Sequence, residues 1–415
     1  KGILPPNTSK VVTNVIKAYF RNDCSELIES FKNNKIVYNT AATLDWLNSH
    51  KTINKNIKET IETLCYELIN KPINDVNVHI KLESLLKDDP IGNWKQQQSR
   101  IIVWQRKAIA AIFSPIFIEA KKRLKLLLKD KVLYADGNKP SDINKWLRHR
   151  GKPTGLFEND LKKQDRQTDH AIIDVELEIY RLLGVHECVL STWAKMHKNW
   201  RFKGKFTRGL LDAMRMTGMA TTALGNVITN MQVHAEWVIK NDDNILFILL
   251  LGDDSLIGTK GTISTTGLSK YIERNFNMQS KNLQNETYGT FCCMNAYIDE
   301  NCCQLGPDLI RMRLRFEVTN GVSEVNDSNL VARSMSYLMM LGATPEVNNL
   351  ISELKLPIQP EHWYNFNLNS YAIADKWQTS VEEVLSNYGS LLHMIKFRDV
   401  NLIKFQYFTS SSRWF

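Results

Sequence analysis

The chain has 415 residues, of which 43% are apolar and 23% charged, and it carries a formal net charge of +9 at pH 7. This is ordinary globular composition with ample material for a core, and the length suggests two or three domains or one large multi-lobed one. Every apolar run falls well short of the roughly 20 residues of a membrane span, which excludes a spanning helix in this segment. The basic balance favours a polyanionic partner, nucleic acid first and an anionic membrane surface second, over a surface that serves only solubility.

The opening KGILPPNTSK lacks the apolar stretch of a signal peptide, and a start at Lys1 predicts a segment of a longer polypeptide. The seven cysteines include the doublets Cys292-Cys293 and Cys302-Cys303. An odd count without secretory features favours free thiols in a reducing compartment. The doublets fit no standard zinc spacing, so we expect small buried hydrophobes rather than a zinc site.

Helical and extended patterns alternate through the first half of the chain. Apolar residues recur at helical spacing in SELIESFKNN and NIKETIETLCYELIN. From Ile101, IIVWQRKAIAAIFSPIFIEAKKRLKLLL predicts a short strand followed by a helix with a basic far end. GLFEND then predicts a buried strand, and DHAIIDVELEIYRLLG predicts a helix that ends at Gly184.

The second half begins with a helix and a strand pair. TGMATTALGNVITNMQVHAEWVIK predicts a helix that starts at Thr217-Gly218, and NILFILLLGDDSLIG predicts a strand, a turn and a strand. A helix over GLSKYIERNF and a hairpin over TYGTFCCMNAYIDENCCQLG follow, and beyond Arg311 the chain is mostly helical. Interleaved strands and helices flanked by helices predict an α+β core with largely helical lobes.

The turn inside NILFILLLGDDSLIG would place two carboxylates at the tip of two apolar strands. Gly252 permits a tight turn, so Asp253 and Asp254 would project together from its end. Buried charge is costly unless it is paired or binds metal, and carboxylate oxygens suit Mg²⁺. Asp160, at the end of the GLFEND strand, is the candidate second source of carboxylate for a two-metal site, if the strands lie side by side. A solvent-exposed turn is the alternative.

Polar residues also mark the helix that precedes this turn. Thr222 and Asn226 are four apart and share one helix face, and Asp165, five residues past Asp160, is a candidate to join them. Near a metal site these side chains would read a sugar hydroxyl, and the 2′-OH distinguishes RNA from DNA. Helix capping by Thr217 and ordinary surface polarity are the alternative interpretation.

Two basic segments predict contacts with single-stranded nucleic acid. WAKMHKNWRFKGKFTR carries six Lys or Arg between residues 195 and 208, no acid and interleaved aromatic rings, which would neutralise phosphates and stack on bases. A solvated basic loop is the alternative. IRMRLRFEV alternates strictly, so as a strand it would put Arg311, Arg313 and Arg315 on one face. Three guanidiniums on one face require an anion or an acid opposite, and we favour RNA backbone over intramolecular acids.

These motifs, in this order, resemble a known set. In viral RNA-dependent RNA polymerases, motif A resembles Asp160-x4-Asp165 of this chain and motif C resembles Gly252-Asp253-Asp254. Motif B resembles Thr217-Gly218-x3-Thr222-x3-Asn226, which lies between them. RIIVWQRKAIAAIFSPIFIEAKKRL resembles the segment upstream of motif A in the alphavirus-like superfamily, which includes tobamovirus, bromovirus and endornavirus relatives. SKNLQNETYGTFCC resembles motif D running into motif E. One departure is Thr217 where the family usually has Ser, which keeps the hydroxyl but stiffens χ1.

The resemblance implies an α+β right-hand fold with fingers, a palm made of an antiparallel sheet backed by helices, and a helical thumb. We therefore expect fingers with an N-terminal extension over 1–150, palm with motif A over 151–184, a fingers insertion over 185–208, palm with motifs B to E over 209–305, and thumb over 306–415.

The resemblance also implies template-directed nucleotidyl transfer with Mg²⁺, for which Mn²⁺ would substitute. Asp160 and Asp253 would be the principal metal ligands and Asp254 an auxiliary one, with Lys281 as the general acid for pyrophosphate. Ribose and NTP binding would fall to Asp165, Thr217, Gly218, Thr222, Asn226, Arg106 and Lys107. RNA binding is expected at Lys198, Arg201, Lys203, Arg311, Arg313 and Arg315.

The expected partners are an RNA template and product, NTPs, and helicase and capping modules of the same replicase. The expected setting is replication of a positive-strand RNA virus genome in the host cytoplasm, in membrane-associated replication complexes. Two alternatives remain. A reverse transcriptase would typically carry an aromatic residue in place of Gly252 and no ribose-selecting pair. A non-catalytic RNA-binding scaffold would keep an inactive palm, against which intact Asp160, Asp253 and Asp254 argue.

Overall fold

A computed structural model describes residues 7–49, 66, 70–81, 100–204, 208–261, 263–320 and 327–398. These ranges form a mixed α+β structure, as the sequence predicts. The helices are α1 Thr8–Tyr19, α2 Cys24–Asn33, α3 Thr40–Ser49, α4 Lys107–Leu127, α5 Pro140–Leu147, α6 Gln164–Gln167, α7 His170–Leu182, α8 Glu187–Met196, α9 Thr222–Lys240, α10 Leu268–Phe276, α11 Leu309–Asn320, α12 Asp327–Leu341, α13 Pro345–Glu353, α14 Phe366–Trp377 and α15 Val381–Arg398. The strands are β1 Asp75–Lys81, β2 Arg100–Gln105, β3 Val132–Tyr134, β4 Gly155–Leu161, β5 Trp200–Lys203, β6 Arg208–Leu211, β7 Ile245–Leu251, β8 Asp254–Thr259, β9 Ser280–Asn285, β10 Tyr288–Phe291, β11 Met294–Ile298 and β12 Cys303–Pro307.

The central sheet has five strands in the order β3-β7-β8-β4-β9. β7 and β8 form an antiparallel hairpin, β4 pairs antiparallel with β8 and β9, and β3 pairs with β7 in parallel. Side chains of β7 alternate between two faces, with Ile248 and Leu250 in one core cluster and Phe247 and Leu249 in another. Burial on both faces explains why ILFILLL is an unbroken apolar run.

Helix α9 covers one face of this sheet. Nearly all its side chains from Leu224 to Val238 are buried, and it packs against α1, α7 and β7. A helix without a solvated face is an interior helix, so its polar residues need partners inside the protein. The opposite face of the sheet packs against α5 and the three-stranded sheet β10-β11-β12.

Two further units complete the described chain. A four-stranded sheet has the order β2-β1-β5-β6, with β1 and β5 parallel. The C-terminal helices from α11 onward enclose a separate apolar core around Phe316, Leu338, Ile373 and Leu391. None of the helices in the described part of the chain is both long enough and apolar enough to cross a membrane.

Several elements confirm the sequence predictions. The strand and basic helix after Ile101, the GLFEND strand, the hairpin around Gly252 and the helix over GLSKYIERNF all form. The helix predicted in NIKETIETLCYELIN lies almost wholly outside the described residues. The hairpin predicted over TYGTFCCMNAYIDENCCQLG is two successive hairpins, β10–β11 and β11–β12.

The strand predicted in IRMRLRFEV is wrong, because this segment is helix α11. Arg311, Arg313 and Arg315 therefore do not share one face of a sheet. Asp308 caps the helix, with its carboxylate accepting from the Arg311 backbone N–H at 3.2 Å. The buried residues Leu309, Met312 and Phe316 recur at helical spacing. Burial of that helical stripe in the C-terminal core outweighs the local alternation of arginine with apolar residues.

The helix predicted to begin at Thr217-Gly218 begins instead at Thr222. Gly218 pairs with the edge of β2, where its backbone N–H donates to the Val103 carbonyl at 2.7 Å. This bond holds residues 216–219 as a loop between the four-stranded sheet and α9. Tertiary pairing therefore displaces the start of the helix by about one turn.

Candidate active site

The β7–β8 turn contains two residues, Gly252 and Asp253, because Leu251 pairs with Asp254. Gly252 has φ +60°, as two-residue turns that favour glycine at their first position require. A Cβ built on Gly252 would meet no atom within 4 Å, so the need for glycine is conformational rather than steric. Asp253 and Asp254 are both exposed at this tip.

Helix α9 holds this turn through Asn230. The Asn230 side chain is completely buried, and its amide donates to the Gly252 carbonyl at 3.1 Å. This contact fixes the peptide that orients the two aspartates. Sequence reasoning missed Asn230, although it follows Asn226 by one helical turn on the same face.

Asp160 lies on the strand next to this turn. In the antiparallel β4–β8 ladder Glu158 faces Leu256, so its continuation sets Asp160 opposite Asp254. Although the Asp254 side chain reaches the surface, the protein packed around it displaces part of its water; this effect chiefly, and then the charges of Asp253 and Asp160, raise its pKa to about 6. The structure therefore brings Asp160, Asp253 and Asp254 to one edge of the sheet as mutually repelling carboxylates.

The donor set at this edge fits a divalent cation that is also held by substrate. Carboxylate oxygens are hard ligands that suit Mg²⁺, and Mg²⁺ usually takes only one or two of them together with phosphate oxygens and water. Among the described residues, no three His, Cys, Asp or Glu side chains converge as the ligands of a metal site preformed by protein alone. Asp160, Asp253 and Asp254 are thus suited to a metal completed by bound triphosphate.

Two further groups adjoin the carboxylates, and sequence reasoning missed both. Glu158 lies two residues before Asp160, and burial raises its pKa to about 7, although the Thr290 backbone N–H and Lys376 oppose that shift. Cys292, in the β10–β11 turn, acts against the rise and lowers the pKa of Asp254. The negative charge of Asp254 in turn helps to raise the pKa of the Cys292 thiol, after the larger effect of burial.

Asp165 and Asn226 meet beside the turn. The Asn226 amide donates to the Asp165 carboxylate at 3.0 Å. Burial raises the pKa of Asp165, while the Asn226 hydrogen bond and the Arg215 charge lower it and Asp253 raises it further. Asp165 and Asn226 are therefore a polar pair within electrostatic reach of the carboxylate edge.

Thr222 faces the same side of the helix but serves the preceding loop. Its hydroxyl donates to the Met216 carbonyl at 2.7 Å and accepts from the Met219 backbone N–H at 3.0 Å. Thr217 and Gly218 are exposed in that loop. A Cβ on Gly218 would lie 2.7 Å from the Cβ of Trp104, so glycine permits the close approach to β2.

A buried ion pair packs against α9 beside Asp165. The side chains of Arg215 and Glu176 are 1% and 2% exposed and form a salt bridge, and the Tyr180 hydroxyl donates to Glu176 at 2.6 Å. The Arg215 backbone N–H donates to the Asp165 carbonyl at 3.1 Å. A Cβ on Gly225 would lie 1.9 Å from Arg215 Nη1, so the ion pair packs directly on α9. Sequence reasoning missed these residues, because burial of charge has no local signature.

The basic residues predicted to hold the triphosphate, Arg106 and Lys107, and the predicted general acid Lys281 differ in exposure. Arg106 is buried, and its guanidinium donates to the carbonyls of Lys71 and Pro72 at 3.1 and 2.8 Å. Lys107 is exposed at the start of α4. Lys281 is exposed on β9, directly across the ladder from Asp160.

The residues predicted to bind RNA are partly engaged with acids. Arg201 and Lys203 form ion pairs with Asp75 at 3.2 and 2.6 Å, and Lys198 is exposed just before β5. On α11, Arg313 pairs with Glu317 at 3.1 Å, Arg311 donates to the Cys293 sulfur at 3.4 Å and Arg315 is exposed. Arg201, Lys203 and Arg313 are thus paired with acids of the same chain. For Arg313 this pairing is the alternative that was less favoured from the sequence.

Comparison with known proteins identifies the family. A family model described as RNA dependent RNA polymerase matches residues 5–324. The chain is 26% identical over 299 residues to the replicase large subunit of Tobamovirus Ob, which covers 69% of this chain and 18% of that protein. It is 29% identical over 194 residues to RNA-directed RNA polymerase 2a of Tobacco streak virus (strain WC), covering 46% of this chain and 22% of that protein.

A third relative, RNA-directed RNA polymerase 2a of Olive latent virus 2 (isolate Italy), is 30% identical over 184 residues, covering 43% of this chain and 22% of that protein. The chain thus spans about a fifth of the length of the curated relatives it matches. The family match covers most of the chain and includes the whole carboxylate edge. The chain belongs to the RNA-dependent RNA polymerase family, in its alphavirus-like group of viral enzymes.

Proposed function

We propose that this chain is the polymerase domain of a positive-strand RNA virus replicase and transfers nucleotides from NTPs to the 3′-hydroxyl of a growing RNA on an RNA template. One observation carries the proposal: Asp160 and the Gly252–Asp254 turn lie on neighbouring strands at one edge, where their charges interact. Carboxylates from two strands at an open edge are the donors that phosphoryl transfer with divalent cations needs.

The chain's own residues would divide the work as follows. Asp160 and Asp253 would hold Mg²⁺ or Mn²⁺, with Asp254 as an auxiliary ligand. Cations bound there would neutralise charge on the triphosphate and favour ionisation of the attacking hydroxyl. Most of the rate would come from positioning and from electrostatic stabilisation.

The nucleotide would be bound by the groups around that edge. Asp165 and Asn226 would test for the ribose 2′-hydroxyl, because their paired side chains offer both donors and acceptors beside the carboxylates. Arg106 or Lys107 would hold the triphosphate; the Arg106 guanidinium bonds to two carbonyls, and Lys107 is exposed at the start of α4. Lys281 would protonate pyrophosphate from β9, the strand beside Asp160.

The right-hand arrangement is part of the same proposal. Strands β4, β7, β8 and β9 with α9 would be the palm over 151–184 and 209–305, and edge strand β3 would join their sheet from the range 1–150. The four-stranded sheet would contribute to fingers over 1–150 and 185–208, although its last strand β6 runs on to Leu211, and the C-terminal helices would be the thumb over 306–415. The separate apolar core of the C-terminal helices supports a distinct lobe there.

The relatives' names, replicase and RNA-directed RNA polymerase, support the proposed partners, whereas the setting is proposed from the resemblance alone. RNA template, RNA product, NTPs and other replicase modules are the proposed partners, and membrane-associated complexes in the host cytoplasm are the proposed site of action. Fractionation of infected cells would test the setting, since recovery of the protein only in the soluble fraction would contradict it.

Primer extension on an RNA template tests the activity. We expect synthesis in Mg²⁺ with NTPs, loss of synthesis to background in Asp253→Ala and retention of RNA binding in a filter assay. Asp243→Ala is the matched control, because Asp243 is exposed at the opposite end of β7. Wild-type chain that binds RNA but extends no primer in Mg²⁺ or Mn²⁺ would favour the scaffold. Preference for dNTPs would favour a reverse transcriptase.

A further inference from the structure

The β7–β8 turn has a defined type, and that type depends on one peptide. Its two central residues are Gly252 and Asp253, and φ is +60° at Gly252 but not positive at Asp253. Positive φ at the first central residue alone is the pattern of a type II′ turn, whereas a type I′ turn has positive φ at both. The two types differ in the direction of the peptide that joins the central residues. The carbonyl of this peptide is that of Gly252.

The sequence of the turn does not by itself select between these two types. Glycine at the first position suits both, and aspartate adopts positive φ more readily than most residues. A reversal of the central peptide would turn the Gly252 carbonyl to the other side of the hairpin and change φ at Asp253. The direction of the Asp253 side chain would change with it. A contact to the Gly252 carbonyl therefore determines where this carboxylate lies.

The side-chain amide of Asn230 makes that contact. It donates to the Gly252 carbonyl at 3.1 Å, and only the nitrogen of the amide can donate to a carbonyl. Asn230 lies inside α9 and is completely buried, and its amide oxygen has no hydrogen-bond partner among the described residues. Asparagine is a poor helix former, and a buried unpaired oxygen is destabilising. The contact to the turn is therefore the favourable interaction that accounts for asparagine at this position.

We propose that Asn230 is a positioning residue, which holds the central peptide of the β7–β8 turn in its type II′ orientation and so directs the Asp253 carboxylate for divalent cation binding with Asp160. This inference rests on the proposed function, since it assigns Asn230 to the same metal site. A hydrogen bond that orients a metal ligand is typically worth about 10- to 100-fold in metal affinity. Asn230 acts through the backbone rather than on the carboxylate itself, so we expect the lower end of that range.

Gln232 provides a matched control on the same helix. Its amide is also buried, with the residue 2% exposed, and donates to a backbone carbonyl, that of Ile172 on α7, at 3.2 Å. Its amide oxygen likewise has no partner in the described part of the chain. Residues two apart on a helix point to different sides. Loss of the Gln232 amide therefore removes the same kind of hydrogen bond from α9 without affecting a contact to the turn.

Mn²⁺ binding to the purified chain, followed by electron paramagnetic resonance of the free ion, tests the proposal. The site is identified as the binding that Asp253→Ala removes. Asn230→Leu and Gln232→Met each replace an amide by an apolar side chain of similar shape. Asn230→Leu should weaken Mn²⁺ binding about 10-fold, and Gln232→Met should leave it unchanged. Both should melt near the wild-type temperature, because each removes an unpaired buried oxygen together with the hydrogen bond.

The metal dependence of primer extension gives a second measurement. A residue that only positions a ligand can be compensated by excess metal. The Mg²⁺ concentration for half-maximal synthesis should therefore rise about 10-fold in Asn230→Leu, while the rate at saturating Mg²⁺ stays within about threefold of the wild type. Asn230→Ala removes the same donor without adding bulk, so it should reproduce both effects and replaces the leucine variant if that variant does not fold.

Three results would overturn the inference. The first is equal Mn²⁺ affinity in the wild type and Asn230→Leu. The second is equal weakening in Asn230→Leu and Gln232→Met, which would mean a general effect of α9. The third is a wild-type chain that binds no Mn²⁺. A chain that binds Mn²⁺ in the expected pattern but extends no primer refutes the polymerase proposal and leaves the positioning inference intact.

Discussion

Gly225→Ala probes how the buried ion pair supports the candidate site. The added Cβ would lie 1.9 Å from Arg215 Nη1 and 2.7 Å from Glu176 Oε1, so the guanidinium must shift away from its carboxylate. Both side chains are at most 2% exposed, and separating a buried pair costs about 3–5 kcal/mol. Alanine regains about 1 kcal/mol of helix propensity, which leaves a net loss of about 2–4 kcal/mol.

Differential scanning calorimetry measures this loss as a fall in melting temperature. An unfolding entropy of about 2.1 cal/mol/K per residue gives about 0.9 kcal/mol/K for this chain if it unfolds as one unit, so the expected fall is roughly 2–5 °C. Gly389→Ala is the matched control, because Gly389 lies inside α15 and a Cβ there would meet no atom within 4 Å. The control should be more stable than the wild type by about 1 kcal/mol. Gly225→Ala melting at or above the wild-type temperature would refute the reasoning.

Three other outcomes are expected. Asn226→Ala should relax discrimination against dNTPs in primer extension, because its amide holds Asp165, and unchanged selectivity would contradict a ribose role. Replacing Arg311 and Arg315 by Gln should weaken RNA binding. The slope of the logarithm of the binding constant against the logarithm of salt concentration should become shallower by about 1.4, at about 0.7 per contacted phosphate of a single strand. An unaltered slope would place these arginines away from RNA. Burial lowers the pKa of His197 and of His234 from 6.5 to about 4. The folded protein therefore favours the neutral imidazoles. Each histidine stabilises the fold by roughly 3 kcal/mol above pH 6.5 relative to pH 4, and this stabilisation is lost as pH falls towards 4. The free energy of unfolding, measured with urea from pH 7 to 4.5, checks this loss. In His197→Gln the free energy of unfolding should fall less steeply with decreasing pH than in the wild type, and an equally steep fall would contradict the reasoning.

Local sequence predicted the elements whose identity depends on nearest neighbours. The run ILFILLL, bounded by polar residues and ended by Gly252, allows little other than a buried strand and a tight turn. The alternation in IRMRLRFEV misled because it records only local spacing. The helix of that segment depends on Asp308 as its cap and on burial of Phe316 in a core built by distant helices.

In the candidate site, too, local sequence predicted some residues, whereas contacts between distant segments determined the rest. The carboxylates of Asp160 and Asp253 could be named in advance, since each ends or follows an apolar strand. Their meeting depends on the β4–β8 register, which the sequence did not determine. Asn230 and Glu158 were not identified, because each makes its hydrogen bond to a residue distant in the chain.

Helix α9 carries Asn226 against Asp165 and, one turn later, Asn230 against the carbonyl of Gly252. One helix therefore holds both the pair proposed to test the ribose and the turn that carries the two aspartates. Under the proposed function, a tilt of α9 that admits an altered nucleotide would also move that turn, so selectivity and rate of synthesis should change together. Resistance to a sugar-modified inhibitor gained through this helix should be accompanied by slower replication.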